Sequence, residues 1–217
     1  MSVIPVFVAF NVGLLISGLF LWNMWFAGVA FLCLVSLLGV YACDMLEIVF
    51  HYAAGFWLFI GSEIMIFGSL LFNCLFFDCC HYVNLSSSLE LPFLGCFILL
   101  GSSITITAFH HLLGWNWSWV LLVLTIMLGG SFVVLQLAEM NEVFVNILDT
   151  SFHASSFCTV GLHFSHVVLG VVGFLFVLVV GINVVGVYRC SVVTWYWHFV
   201  DYVWLFVYTF VYVCYYW

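Results

Sequence analysis

Long apolar runs broken by short polar punctuation organise the whole chain. Stretches rich in Val, Leu, Phe, Ile and Gly occupy about 3–22, 26–43, 50–77, 91–113, 117–140, 152–187 and 192–216. Each approaches or exceeds the roughly 20 apolar residues that carry an α-helix across a bilayer. The connections are Asn23-Met24-Trp25, Cys43 to Glu47, Asp78 to Glu90, His110 to Asn116, Glu139 to Thr150 and Gly186 to Ser191. Only Asp78 to Glu90, with Asn84 and Ser86-Ser87-Ser88, reads as an extended polar loop, and Pro92 follows it where a first helical turn tolerates proline. No alternating period of two recurs, which argues against a β-barrel. Helices are the other structure that satisfies its own backbone in lipid. The pattern predicts an all-α integral membrane protein with seven transmembrane helices. It forms a single membrane domain over residues 1–217, with helices 1–2 at about 3–43 and helices 3–7 at about 50–216.

Composition strengthens this picture. Hydrophobic residues make up 68% of the chain and charged residues 5%, too little polar surface to cover a water-soluble fold. Met1 to Pro5 lacks the basic start of a cleaved signal. A net charge of −8 with one Lys or Arg excludes binding to a phosphate backbone, so nucleic acid is not a partner. The nine cysteines accompany an excess of Val, Phe, Leu, Gly, Trp and Tyr, whose codons are rich in G and T. A biased, organellar type of genome explains them better than disulfide or metal chemistry does, and most read as small buried hydrophobes.

Seven crossings place the termini on opposite sides. The N-terminal side then holds Asp44, Glu47, His110, His111 and Arg189; the other holds Asp78, Glu90, Glu139, Glu142 and Asp149. The lone arginine puts the N-terminus in the matrix or cytoplasm by the positive-inside rule. Gly13 with Ser17, and Gly170 with Gly173, read as positions of close helix approach.

Polar residues inside the runs are few enough to weigh singly. Glu63 lies about 20 Å along the third run, where an ionised carboxylate costs at least ~2.5 kcal/mol. It reads either as a protonated group bonded to a neighbouring helix or as a proton-relay or lipid-cleft residue. His163 and His166 share a face of the sixth run; interhelical hydrogen bonding suits them better than a metal or haem site. His198 and Asp201 are three apart on the last run. They read as a buried polar pair that fixes helix register or as a functional couple, with no nucleophile or metal set beside them. Cys79-Cys80-His81 matches no structural zinc spacing. Glu139 and Glu142 read as ordinary interfacial acids at a span end.

Trp195-Tyr196-Trp197-His198-Phe199-Val200-Asp201, followed by Val203-Trp204-Leu205-Phe206, resembles the last helix of cytochrome c oxidase subunit III. Ser62-Glu63 resembles a motif of that family's third helix. Leu89-Glu90-Leu91-Pro92 and Ser103-Ile104-Thr105 through His110-His111 resemble its fourth. Leu135-Gln136 with Glu139 and Glu142 resembles the end of its fifth, and Gly161-Leu162-His163 with His166 and Gly170 resembles the Gly-Phe-His-x-x-His motif of its sixth. The motifs cover about 41–217. One departure matters: where the family carries arginines between its second and third helices, Cys43 and Leu46 stand here. That turn supplies no arginine fork for an acidic phospholipid headgroup.

The resemblance implies seven helices, the first two splayed from a five-helix bundle around a lipid cleft. It implies a non-redox core subunit of respiratory complex IV in the mitochondrial inner membrane, multi-pass, with its N-terminus on the matrix side. Haem a and copper would belong to subunits I and II, accessory subunits and structural phospholipids would be further partners, and no cofactor or metal would be bound by this chain. Its role would be to support subunit I stability and proton uptake during electron transfer from cytochrome c to dioxygen, with no catalytic centre of its own. Glu63, His198, Asp201, His110, His111, Asp44, Glu47, His163 and His166 are then candidates for a proton antenna or for lining the lipid cleft. A quinol-oxidase subunit III, a stand-alone proton channel or transporter, and a b-type cytochrome are the competing readings.

Overall fold

The computed structural model of the chain describes residues 4–47, 53–77, 85–115 and 117–213, without the side chains of residues 4, 5, 19, 38 and 42–47. These residues are almost wholly helical: α1 (Ile4–Phe20), α2 (Met24–Glu47), α3 (Ala53–Phe77), α4 (Leu91–His111), α5 (Ser118–Glu142), α6 (Ser151–Val180), a one-turn α7 (Ile182–Val185) and α8 (Val187–Val207), which continues as a π-helical segment over Tyr208–Val213. Five helices are long and apolar enough to cross a membrane, those within α2, α3, α4, α5 and α6. The described apolar stretch of α1, Val6–Gly18, is shorter. The 21 residues of α8 are diluted by Arg189, His198, Asp201 and its Tyr and Trp residues. By this measure five spans, rather than seven, stand out among the described residues.

The chain divides into two compact units, Met1–His51 and Tyr52–Trp217. In the first, α1 and α2 form a helical hairpin. Asn23 stops one helix and starts the next: its side-chain oxygen accepts the backbone N–H of Phe26 at 3.2 Å, the usual service of an N-cap. Trp22 just before it has φ of 53°, a left-handed conformation that is uncommon outside glycine. Among the glycines of this unit the tightest surroundings are at Gly18, where an added Cβ would lie 2.9 Å from the backbone nitrogen of Ala27; Gly13, singled out in the sequence, has open space around it.

In the second unit α8 packs against α3, α4 and α6, while α5 packs against α4 and α6. Pro92 sits in the first turn of α4 as expected. Thr150 caps α6 by accepting the His153 N–H at 3.1 Å. The last two spans depart from the sequence expectation, because the apolar run continues through 187 but the helix does not. Gly181 and Gly186 have φ of 92° and 84°, values that suit glycine alone. They end α6 at Val180 and start α8 at Val187. Arg189 and Ser191 consequently lie on a helix rather than in a connection.

Trp197 is the keystone of this unit. Its side chain is fully buried, and its ring fills the space over two glycines. A Cβ at Gly170 would lie 2.6 Å from it, and one at Gly129 2.8 Å. Its indole N–H donates to Ser102 Oγ at 2.9 Å. One aromatic residue of α8 thereby touches α4, α5 and α6, which fixes the rotation of α8 and so the direction in which His198 and Asp201 project.

Candidate functional site

Glu63 occupies the eleventh position of α3, roughly 15 Å from its described start at 1.5 Å per residue. Its Oε2 lies 3.0 Å from His166 Nε2 on α6, with only small fractions of either side chain exposed. His166 Nδ1 is 2.8 Å from the Leu162 carbonyl. A carbonyl only accepts, so Nδ1 carries a proton and donates. The Glu63–His166 contact then holds one proton, carried either as a carboxylic acid donating to a neutral ring or as an imidazolium donating to a carboxylate. Tyr196 O–H donates to the His166 carbonyl at 3.1 Å, and the rings of Phe67 and Tyr196 cover the imidazole. The interhelical bonding expected of these residues is present, with the partner now named.

His163, one turn away, serves a different place. It is fully buried and donates from Nε2 to the Val200 carbonyl at 3.2 Å, while Phe132 and Trp204 flank its ring. Its Nδ1 has no partner among the described residues.

Along the α4–α8 contact runs a seam of hydroxyls and imidazoles. Ser103 Oγ is 2.8 Å from His198 Nδ1, and Thr107 Oγ1 is 3.3 Å from His198 Nε2. Farther along, His110 Nε2 is 2.9 Å from Ser191 Oγ. Ser103, Thr107 and His110 recur at helical spacing on α4, and Asp201, His198 and Ser191 recur on the facing stripe of antiparallel α8. Asp201 is 3% exposed, yet neither carboxyl oxygen has a hydrogen-bond partner among the described residues. The direct His198–Asp201 pair suggested by their spacing is therefore not formed: both nitrogens of His198 turn to α4 instead, because Trp197 sets the helix rotation.

Glu139 corrects a second expectation. Rather than sitting at the interface, its side chain is 1% exposed. It accepts Ser86 O–H at 2.7 Å and Tyr212 O–H at 2.8 Å on Oε1, and Gln136 N–H at 2.8 Å on Oε2. Three donors thus satisfy both oxygens of one buried carboxyl group. Tyr208 O–H donates to the Ser88 carbonyl at 3.0 Å, so this cluster ties the loop before α4 and the π-helical segment to the end of α5. The signal was available: Gln136 precedes Glu139 by three residues, on one helical face.

The remaining candidates are scattered. His111 is exposed, with its ring 5.9 Å from that of His110. Asp44 and Glu47 fall within the α2 backbone, but their side chains lie outside the described residues, as do Cys79, Cys80 and His81 entirely. Among the described residues no three His, Cys, Asp or Glu side chains gather closely enough to hold a metal ion.

Comparison with known proteins matches the sequence to one family. The family model described as cytochrome c oxidase subunit III matches residues 2–217. The cytochrome c oxidase subunit 3 of Bacillus sp. (strain PS3) is 34% identical over 176 residues, covering 73% of this chain and 84% of that protein. The subunit 3 of Heterololigo bleekeri is 36% identical over 138 residues, covering 60% of this chain and 53% of that protein. The subunit 3 of Papio hamadryas is 31% identical over 175 residues, covering 76% and 64% respectively. The aligned part of this chain thus spans about half the length of the Heterololigo bleekeri relative. With the match running from one end of the described helices to the other, and the Glu63–His166 and Trp197–His198–Asp201 groups set into its helices, the chain belongs to the cytochrome c oxidase subunit III family.

Proposed function

We propose that this chain is a seven-helix, non-redox core subunit of a cytochrome c oxidase complex in the mitochondrial inner membrane, with its N-terminus on the matrix side. It assembles with subunits I and II and with accessory subunits, supports subunit I, and helps supply protons for dioxygen reduction. Haem a and copper reside in the partner subunits. The observation that carries this reading is the family match over residues 2–217, joined to a polar set whose members bond to each other and to the helices around them. The same architecture suits a quinol-oxidase subunit III, and a dinuclear copper site in the partner subunit II separates the two.

Two local features support the finer roles. An apolar groove of about 480 Å³ between α3 and α8, lined by residues such as Ile64, Phe67, Leu71, Phe199 and Phe206, offers only hydrocarbon surface and suits a structural phospholipid's acyl chain. His110 and His111 end α4 at a membrane edge, with no Lys in the chain and one Arg, and imidazoles exchange protons near neutral pH. These two histidines form the proposed antenna. Replacing both histidines with Gln is expected to slow steady-state proton uptake at alkaline pH while leaving haem spectra unchanged. Unaltered uptake between about pH 6 and 9 would remove the antenna role.

A further inference from the structure

We propose that Asp201 is a proton-holding site coupled to His198 through the Ser103 hydroxyl, and that it exchanges its proton along the α4–α8 seam toward the His110 end. This goes beyond a surface antenna, because it assigns a function to a carboxyl inside the bundle, and it is argued from this seam alone.

The directions of the hydrogen bonds carry the argument. Thr107 Oγ1 donates to the Ser103 carbonyl at 2.7 Å, so its single proton is committed. Toward His198 Nε2, 3.3 Å away, Thr107 can only accept, and Nε2 bears a proton. In a neutral imidazole Nδ1 is then bare and accepts the Ser103 hydroxyl at 2.8 Å. Ser103 also neighbours the Asp201 carboxyl, toward which its hydroxyl can turn; while its proton is committed to His198, it offers Asp201 only lone pairs. An Asp201 carrying a proton complements this arrangement; a carboxylate would face an acceptor. Burial points the same way, since both oxygens lack hydrogen-bond partners among the described residues and 3% of the residue is exposed. An unpaired buried carboxylate neutralises rather than stays charged.

The same groups admit a second arrangement. It begins when the Asp201 hydroxyl turns onto Ser103 Oγ, a hydrogen bond absent from the resting arrangement; the Asp201 O–H bond then breaks as a new bond forms to Ser103 Oγ, and the original Ser103 hydroxyl proton moves to His198 Nδ1. The products are a carboxylate, an intact Ser103 hydroxyl and an imidazolium that still donates from Nε2 to Thr107. One proton has moved from Asp201 to His198 and none is gained or lost. Release of the Nε2 proton through exposed Thr107 then empties the site, and the reverse sequence refills it. From Asp201 to Ser191 is ten residues of α8, roughly 15 Å, after which His110 meets Ser191 at 2.9 Å. A bridging water suffices for the step between Thr107 and His110.

The other titratable groups on elements packed against α8 have separate engagements. His163 donates to the Val200 carbonyl and His166 is paired with Glu63. Tyr212 donates to Glu139, and Tyr208 to the Ser88 carbonyl. On α4 the exposed His111 and Glu90 sit at the helix ends.

The test is infrared spectroscopy of the intact complex containing this chain, transferred from H2O to D2O. The expected result is a protonated-carboxyl carbonyl band that Asp201→Asn removes and Asp201→Glu shifts. Its deuterium downshift should slow at least tenfold in Ser103→Ala and in Thr107→Val. Should Asp201→Asn fail to assemble, the Asp201→Glu shift and the two hydroxyl variants decide the matter. A spectrum with no band responding to either Asp201 variant would overturn the proposal. So would deuterium exchange in Ser103→Ala and Thr107→Val as fast as in the parent. Neither result bears on whether the chain belongs to an oxidase, because the readout requires no turnover.

Discussion

Glu63 and His166 hold one proton between them 3.0 Å apart inside the bundle, so truncating either leaves the other without its partner. Glu63→Ala is expected to cost on the order of 1–3 kcal/mol, while Glu63→Gln, which still hydrogen-bonds, should cost less. Thermal retention of the subunit by the purified complex measures both, and equal retention of all three forms would contradict the pairing. Glu139 gives a sharper contrast. Glu139→Ala strands the donors of Ser86, Gln136 and Tyr212 and should cost about 3 kcal/mol or more. Exposed Glu142→Ala, at the end of the same helix, should stay within ~0.5 kcal/mol. Chemical denaturation or proteolytic lifetime in detergent would reveal the difference. Sequence alone exposed Glu63, His166, His198 and Asp201 because charged or titratable groups stand out in apolar runs. It could not pair them, because partners 103 residues apart along the chain depend on helix rotation. Glu139 stands near a span end, where exposure is the ordinary expectation, and only Gln136 one turn earlier on the same face marked it as half of a buried polar pair.

At the scale of helices, rotation is set by small residues facing a large one. A Cβ at Gly170 or Gly129 would strike the Trp197 ring. Gly170→Ala should therefore destabilise the second unit by roughly 1–3 kcal/mol and shift the environment of His198. Gly173→Ala, whose nearest neighbour is Val193 at 3.6 Å, is the matched control. Tryptophan fluorescence or the assembly yield of the complex checks this, and indistinguishable variants would contradict the wedge. Helix existence was legible from apolar run length, and five described helices keep the membrane-spanning character that the runs announced. Helix ends were less legible where hydropathy stays high through a break. Gly181 and Gly186 lie within or beside apolar residues, so only their positive φ reveals the turn. Gly181→Ala is expected to cost about 1 kcal/mol from that conformation, read as lower thermal stability; an unchanged midpoint would contradict a conformational role.

As a whole the molecule is a member of a family of oxidase subunits, built of long apolar helices whose buried polar groups bond mainly to one another and to nearby backbone. The competing readings differ in what accompanies the chain and in what it does alone. The most direct measurement is purification of the tagged chain from its own membrane in mild detergent, followed by visible spectroscopy and metal analysis of the complex and of the separated chain. The account predicts co-purification with subunits that carry haem a and copper, and no Soret absorption from the separated chain. Isolation as a lone protein that conducts protons in liposomes, or one that carries haem itself, would contradict it.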